Sequence, residues 1–296
     1  MKLTTYTITK EHYPRLLSQI PRLPKEMHVA GILPDNTYRY LCIVGSRNNS
    51  TYGKEVCDAL IKSLQGYPVV IVSGLAIGID SIVHETALKY NIKTIAFPGS
   101  GLSLGVLYPH SRRSLAFRII EHGGALISPF SMTQEGTHWT FPYRNRLMAG
   151  ISHATLIIEA GKGSGTLLTA EYATEFNRDV LTVPGSIFSE LSYGPHMLIC
   201  NGATPITSGN DLLEALGFKE HSTHNQQTLP IIDASSYSPL EKQIVDILQR
   251  GSHSGSDLIE MTQLHSSAFN MIISELELRS VVTKHDGMYY LENVCR

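Results

Sequence analysis

Three stretches of this chain place glycine, hydroxyl groups or aromatic rings beside cationic side chains, at spacings suited to holding anions. In Gly45-Ser46-Arg47 the glycine allows a tight turn, the serine offers a hydroxyl and the arginine a charged fork of donors. A helix is expected to begin near Ser50 or Thr51, and free amides at its start would attract a phosphate. A plain strand-to-helix turn would use the same residues. In Glu159-Ala160-Gly161-Lys162-Gly163-Ser164-Gly165-Thr166, three glycines, two hydroxyls and a lysine precede another helix start, which makes a second cradle of the same kind.

The third stretch runs from Trp139 to Gly150. Pro142 suits the first helical position, which puts Arg144 and Arg146 in or just after the first turn, where the helix dipole is already positive. Two cations there are unfavourable unless an anion sits in front of them. Trp139, Phe141 and Tyr143 followed by Arg144-Asn145-Arg146 set flat apolar surfaces beside phosphate donors, the combination that holds unpaired bases and their backbone. The alternative is aromatic residues in the core with the arginines in structural salt bridges. Over residues 110–150 five arginines oppose two glutamates, a local +3 in a chain of net charge −2, so a polyanion would be held by a local site.

The loop from Ser73 to Asp80 carries Gly74 and Gly78 in a Gly-x-x-x-Gly spacing, which is not the dinucleotide fingerprint. No cofactor is therefore expected. Asp80 and His84 lie four apart on one helical face, as an acid/base pair would, although hydrogen bonding that fastens the loop is the simpler reading.

The elements that must position these loops are legible as short β-branched runs, Leu41–Val44, Val69–Val72, Thr94–Phe97, Ala125–Ile127, Thr155–Ile158 and Val180–Val183, with amphipathic segments between them. Runs without polar alternation predict a parallel sheet covered on both faces, hence an α/β, Rossmann-like doubly wound fold whose ligands gather at the carboxyl ends of the strands. Residues 1–37 read as a short helical lead-in with Tyr13, Leu16, Leu17 and Ile20 at helical spacing; 38–217 as the Rossmann-like domain; 218–237 as a linker; and 238–296 as a small winged helix-turn-helix of three helices and a hairpin. His221 and His224 in the linker are expected to be solvated rather than metal-bound.

Hydrophobic residues at 42% and charged residues at 17% describe an ordinary globular chain. There is no signal peptide and no membrane-length apolar run, so a cytosolic protein is expected. Cys42, Cys57, Cys200 and Cys295 show no close pairing. From Tyr237 to Arg296 five Lys/Arg oppose eight Asp/Glu, a net −3, which suits protein contact better than duplex reading.

Taken together, the motifs resemble the DNA-processing protein A family (DprA, also called Smf). The stretches that carry the resemblance are Gly45-Ser46-Arg47 with Thr51-Tyr52-Gly53, Ser73 to Asp80 with His84, Tyr108-Pro109, Phe141 to Arg146, Glu159 with Ser164-Gly165, Thr169-Ala170, Pro184-Gly185, and Leu198-Ile199 before Gly202-Ala203. The resemblance implies a non-enzymatic protein that binds single-stranded DNA, delivers it to the recombinase RecA in natural transformation, and works as a homodimer. It also places Arg47, Arg144, Asn145 and Arg146 near the DNA, with Lys162 in a loop that is often basic. Arg112, Pro129 and His196 depart from the family pattern without removing a basic residue. The competing enzymatic reading is a nucleotide phosphoribohydrolase, whose loop pattern would put Thr169 where a catalytic carboxylate is needed.

Overall fold

The computed structural model describes residues 3–218, 237–248, 251–279, 281–285 and 287–291, and the chain separates into two units, Met1–Glu220 and His221–Arg296. The first unit begins with β1 (Thr5–Thr9) and β2 (Glu26–Gly31). There follow β3 (Arg39–Val44), α1 (Thr51–Ser63), β4 (Val69–Ser73), α2 (Ile79–Lys89), β5 (Lys93–Ala96), α3 (Arg113–Glu121), β6 (Ala125–Ser128) and α4 (Thr140–Ile151). The unit ends with β7 (Ala154–Ile157), α5 (Gly165–Glu175), β8 (Asp179–Thr182), α6 (Tyr193–Cys200), β9 (Thr204–Pro205) and α7 (Gly209–Ala215).

The six apolar runs form β3 to β8. All nine strands join one sheet in the order β1-β2-β6-β5-β4-β3-β7-β8-β9. Pairing is parallel from β6 through β9, and antiparallel where β2 meets β6 and β1. Because side chains alternate across a strand, Tyr40, Cys42 and Val44 of β3 enter the apolar cluster shared with α4 and α5, while Leu41 and Ile43 enter the one shared with α1, α2 and α7. Both faces are thus covered, which is why the strands read as unbroken apolar runs. This is the Rossmann-like, doubly wound arrangement.

The lead-in departs from the helical expectation. Its helix-spaced residues do reach the core, with Tyr13, Leu17 and Ile20 buried, but on two single 3-10 turns, Lys10–His12 and Leu17–Gln19, between β1 and β2. Pro14 and Pro21 interrupt a helix, and the flanking segments instead pair with the edge of the sheet. Arg146 of α4 binds this connection: its guanidinium donates to the carbonyl of Pro21 and, at 3.3 Å, to that of Arg22. Phe176 lies 5.3 Å beneath the same guanidinium.

In the second unit α8 (Pro239–Leu248), β10 (His253–Ser254), α9 (Gly255–Thr262), α10 (Ser266–Leu278), β11 (Val282–His285) and β12 (Met288–Leu291) enclose Ile244, Leu258, Phe269, Ile273, Leu276 and Tyr289. Its sheet is antiparallel in the order β10-β12-β11, the winged helix-turn-helix arrangement. The linker residues His221 and His224 lie outside the described residues.

Two expected outcomes follow from this packing. Arg146→Ala leaves two backbone carbonyls without their charged donor, so stability should fall by about 2–3 kcal/mol, measured by urea unfolding; an unchanged midpoint would show that the lead-in does not depend on it. His84 of α2 is buried and donates from Nδ1 to the Thr94 hydroxyl at 2.7 Å, since that hydroxyl gives its own hydrogen to the Ile71 carbonyl. Burial, aided by Arg144, holds its imidazole down to about 3. An unfolded histidine titrates near ~6.5. The stability gained by keeping it neutral is therefore complete above that value and lost as pH falls toward 3. The stability gap between the wild type and His84→Gln should narrow by about 2 kcal/mol from pH 7 to pH 5, and a constant gap would refute the assignment.

Candidate nucleic-acid interface

From β3 the chain lays β4, β5 and β6 to one side, then crosses back through α4 and places β7 on the other side of β3. Such a reversal opens a crevice outside the carboxyl ends of the two strands. A cavity of about 540 Å³ lies there, lined by Gly45, Ser46 and Arg47 after β3, by Phe141, Arg144 and Asn145 at the start of α4, and by Ser164, Gly165 and Thr166 at the start of α5. The three sequence-predicted stretches therefore meet at one place.

Arg47 is exposed, and its guanidinium sits 5.5 Å from the centre of the Phe141 ring. Phe141 also meets Tyr108, ring centres 5.7 Å apart, so a flat apolar surface and an exposed cation share the mouth of the crevice. Ser46 Oγ accepts the Asn48 amide at 3.1 Å. The amides of Ser46, Arg47 and Gly165 donate to no protein group among the described residues. Thr166 Oγ1 donates to the Gly45 carbonyl at 3.1 Å and Asn145 Nδ2 to the Gly165 carbonyl at 3.4 Å, which ties the three walls together.

Several expectations are corrected. Arg144 is only 4% exposed. It lines the floor of the crevice with its guanidinium turned to the protein: Nη1 donates to the carbonyls of Gly74 and Phe97, the latter at 2.6 Å. Arg146 is 9% exposed, bound to the lead-in, and does not line the cavity. The dipole argument assumed that both arginines faced solvent; instead backbone carbonyls take Nη1 of Arg144 and both Nη groups of Arg146, while the buried Nε of Arg144 has no partner among the described residues. The start of α1 is no free amide cradle either. Glu159, buried at the end of β7, accepts the Ser50 hydroxyl and, at 3.0 Å, the Ser50 amide, while Ser50 Oγ accepts the Gly53 amide. An internal carboxylate occupies the place a phosphate would take. Lys162 is exposed in the loop before α5 but lies outside the cavity lining.

Asp80 and His84 do not form an acid/base pair. Asp80 is buried in this loop near the Arg144 guanidinium; burial raises its carboxyl, opposed first by Arg144 and then by the nearby backbone of Ala76. His84 points to β5. Gly78 has φ +82°, and Gly74 is flanked so closely by the Arg144 guanidinium and the Asp80 carboxylate that a Cβ would overlap both. The role of Glu159 as a cap was missed in the residue-by-residue reading, although an acid ending a buried strand run is itself a sign of an internal hydrogen-bond partner.

A family model for DNA recombination-mediator protein A matches residues 4–217. Protein Smf of Escherichia coli (strain K12) is 38% identical over 211 residues, 71% of this chain and 56% of that protein, so the chain spans little more than half of that relative. The X-ray structure of DNA processing protein A from Streptococcus pneumoniae is similar with a TM-score of 0.65 and 36% identity, over 72% of this chain and 74% of that one. The protein of the same name from Helicobacter pylori, described as having a unique single-stranded DNA binding mode, gives a TM-score of 0.64 at 25% identity, over 73% and 98%. The matched span contains the crevice and every loop that lines it, and on that match over most of its length the chain belongs to the DNA recombination-mediator protein A family.

Proposed function

We propose that this chain binds single-stranded DNA in the crevice between β3 and β7, and that as a homodimer it hands the strand to the recombinase RecA during DNA uptake and recombination. The observation that carries the DNA-binding reading is the exposed Arg47 guanidinium over Phe141 at the mouth of a cavity where the amides of Ser46, Arg47 and Gly165 have no partner among the described residues. A cation beside a flat ring suits a phosphate and an unpaired base at once, and every base has a face to stack. The Helicobacter pylori relative's described binding of single-stranded DNA supports the choice of ligand. Delivery to RecA and dimerisation rest on family membership alone.

A binding role fits the chemistry better than a hydrolytic one. Of the carboxylates near the crevice, Glu159 is committed to the α1 cap and Asp80 is buried beside the Arg144 guanidinium. Thr169, where a hydrolase would need an acid, lines the cavity and cannot serve as one. Purified protein should release no base from nucleoside monophosphates. Among the described residues no helix is long and apolar enough to cross a membrane.

Arg47→Ala should weaken binding to oligothymidine and reduce the magnitude of the salt slope by about 0.7, one phosphate contact, while stability changes by less than about 1 kcal/mol, the worth of an exposed cation–π contact. An unchanged slope would remove Arg47 from the DNA path. In competition the wild type should prefer single strands to duplex, and equal affinity would count against the crevice. A chain ending at Gly217 should fold and keep single-strand affinity within about tenfold, ~1.4 kcal/mol; a larger loss in a truncation shown to be folded by circular dichroism would give the second unit a share in DNA binding.

A further inference from the structure

The opposite pole of the sheet carries a second basic concavity. At the amino ends of β3 and β7 lies a groove of about 440 Å³ whose walls include Arg15, Asn36, Arg39 and His153. A shallower depression of about 280 Å³ shares Leu16, Arg39 and His153 with it and adds Arg178 and Asp179. Three arginines thus border one continuous recess, and none of them is in an ion pair among the described residues. Asp179 lines the depression, and the neighbouring Asp35 carboxylate already accepts the amide and hydroxyl of Thr37.

The uncharged groups of the recess are arranged as donors. His153 Nδ1 accepts the Tyr40 amide at 3.0 Å, so the neutral ring carries its proton on Nε2. Burial, then Arg39, holds this imidazole below its ordinary value, which keeps it neutral. Asn36 Oδ1 accepts the Arg15 amide at 3.1 Å, which leaves the Asn36 amide hydrogens to donate. Arg178 is braced from behind, its Nη2 donating to the Leu16 carbonyl at 2.9 Å and to Gln19 Oε1 at 3.1 Å, while its buried Nε has no partner. Arg15 and Arg39 are exposed, and neither side chain makes a hydrogen bond within the described protein. A recess that gathers cations and donors, with few acceptors to balance them, calls for an anion with several oxygens.

We propose that this recess is a second phosphate-binding site, separated from the crevice by the length of β3, about 17 Å at ~3.3 Å per residue. Its ligand is a phosphate carried either by a free nucleotide or by a nucleic-acid backbone. The site is independent of the crevice, because no residue lines both cavities.

The test follows the His153 imidazole by nitrogen-edited NMR in the full chain, with Arg47→Ala and Arg15→Ala/Arg39→Ala as variants. Inorganic phosphate and thymidine 5′-monophosphate should each shift the His153 Nε2 signal saturably in the wild type and in Arg47→Ala. In Arg15→Ala/Arg39→Ala the apparent Kd should rise at least about tenfold. A stoichiometric shift by oligothymidine, with a salt slope smaller in magnitude in the double variant by ~0.7 per lost contact, assigns the phosphate to a DNA backbone; response to the free nucleotide alone assigns it to a small ligand. If none of the three probes moves His153, or if the shift survives unchanged in the double variant, the site does not exist. Either result leaves the crevice reading to be judged separately by Arg47→Ala.

Discussion

Everything at the carboxyl pole of the sheet is organised around a charge that is almost wholly buried, Arg144. An unpaired buried guanidinium would cost several kcal/mol, so the protein must surround Arg144 with acceptors. The carbonyls of Gly74 and Phe97 both take Nη1 and the field of Asp80 opposes the burial, although the buried Nε has no partner among the described residues. These acceptors belong to the loops after β4 and β5 and to the first turn of α2, while the arginine belongs to α4. A single side chain thus fixes the floor of the crevice. It also explains Gly74, since any Cβ there would collide with the guanidinium, and the buried carboxylate of Asp80 on the same loop.

Helix geometry lets one tripeptide serve three walls. Successive residues of an α-helix point about 100° apart, so Arg144 turns down to the β4 and β5 loops, Asn145 toward the start of α5, and Arg146 toward the connection between β1 and β2. The sequence motif is dense in cations because each of those neighbours presents backbone carbonyls in need of a donor. Density of charge in a sequence, by itself, does not distinguish a ligand site from such bracing.

That distinction marks the limit of what the sequence revealed. The sheet was legible from its apolar runs, because a strand buried on both faces leaves no polar alternation, and the crevice was legible from the glycine-bearing loops that follow those runs. Arg47 and Phe141, singled out as cation and ring, both line that crevice. The fates of Arg144 and Arg146 were not legible, since their partners are main-chain carbonyls, which every residue possesses and no motif records. The lead-in was misread for a related reason. Tyr13, Leu17 and Ile20 are spaced for one face of a helix, and they do face the core, but prolines on either side confine them to turns while pairing with the sheet edge takes the flanking residues.

The same economy of internal partners shapes what the crevice can hold. With Glu159 on the amides of α1, the strongest anion position after β3 is filled by the protein itself, and Arg144 is turned into the floor. What remains facing outward is one guanidinium, an aromatic ring, and a few amides and hydroxyls spread over three loops. A nucleotide pyrophosphate needs concentrated donors at a single helix start. A flexible strand needs shallow contacts that repeat, each weak and indifferent to the identity of the base. In a chain of net charge −2 the general field does not help, so affinity must come from these local groups and fall with salt, as binding through phosphates does.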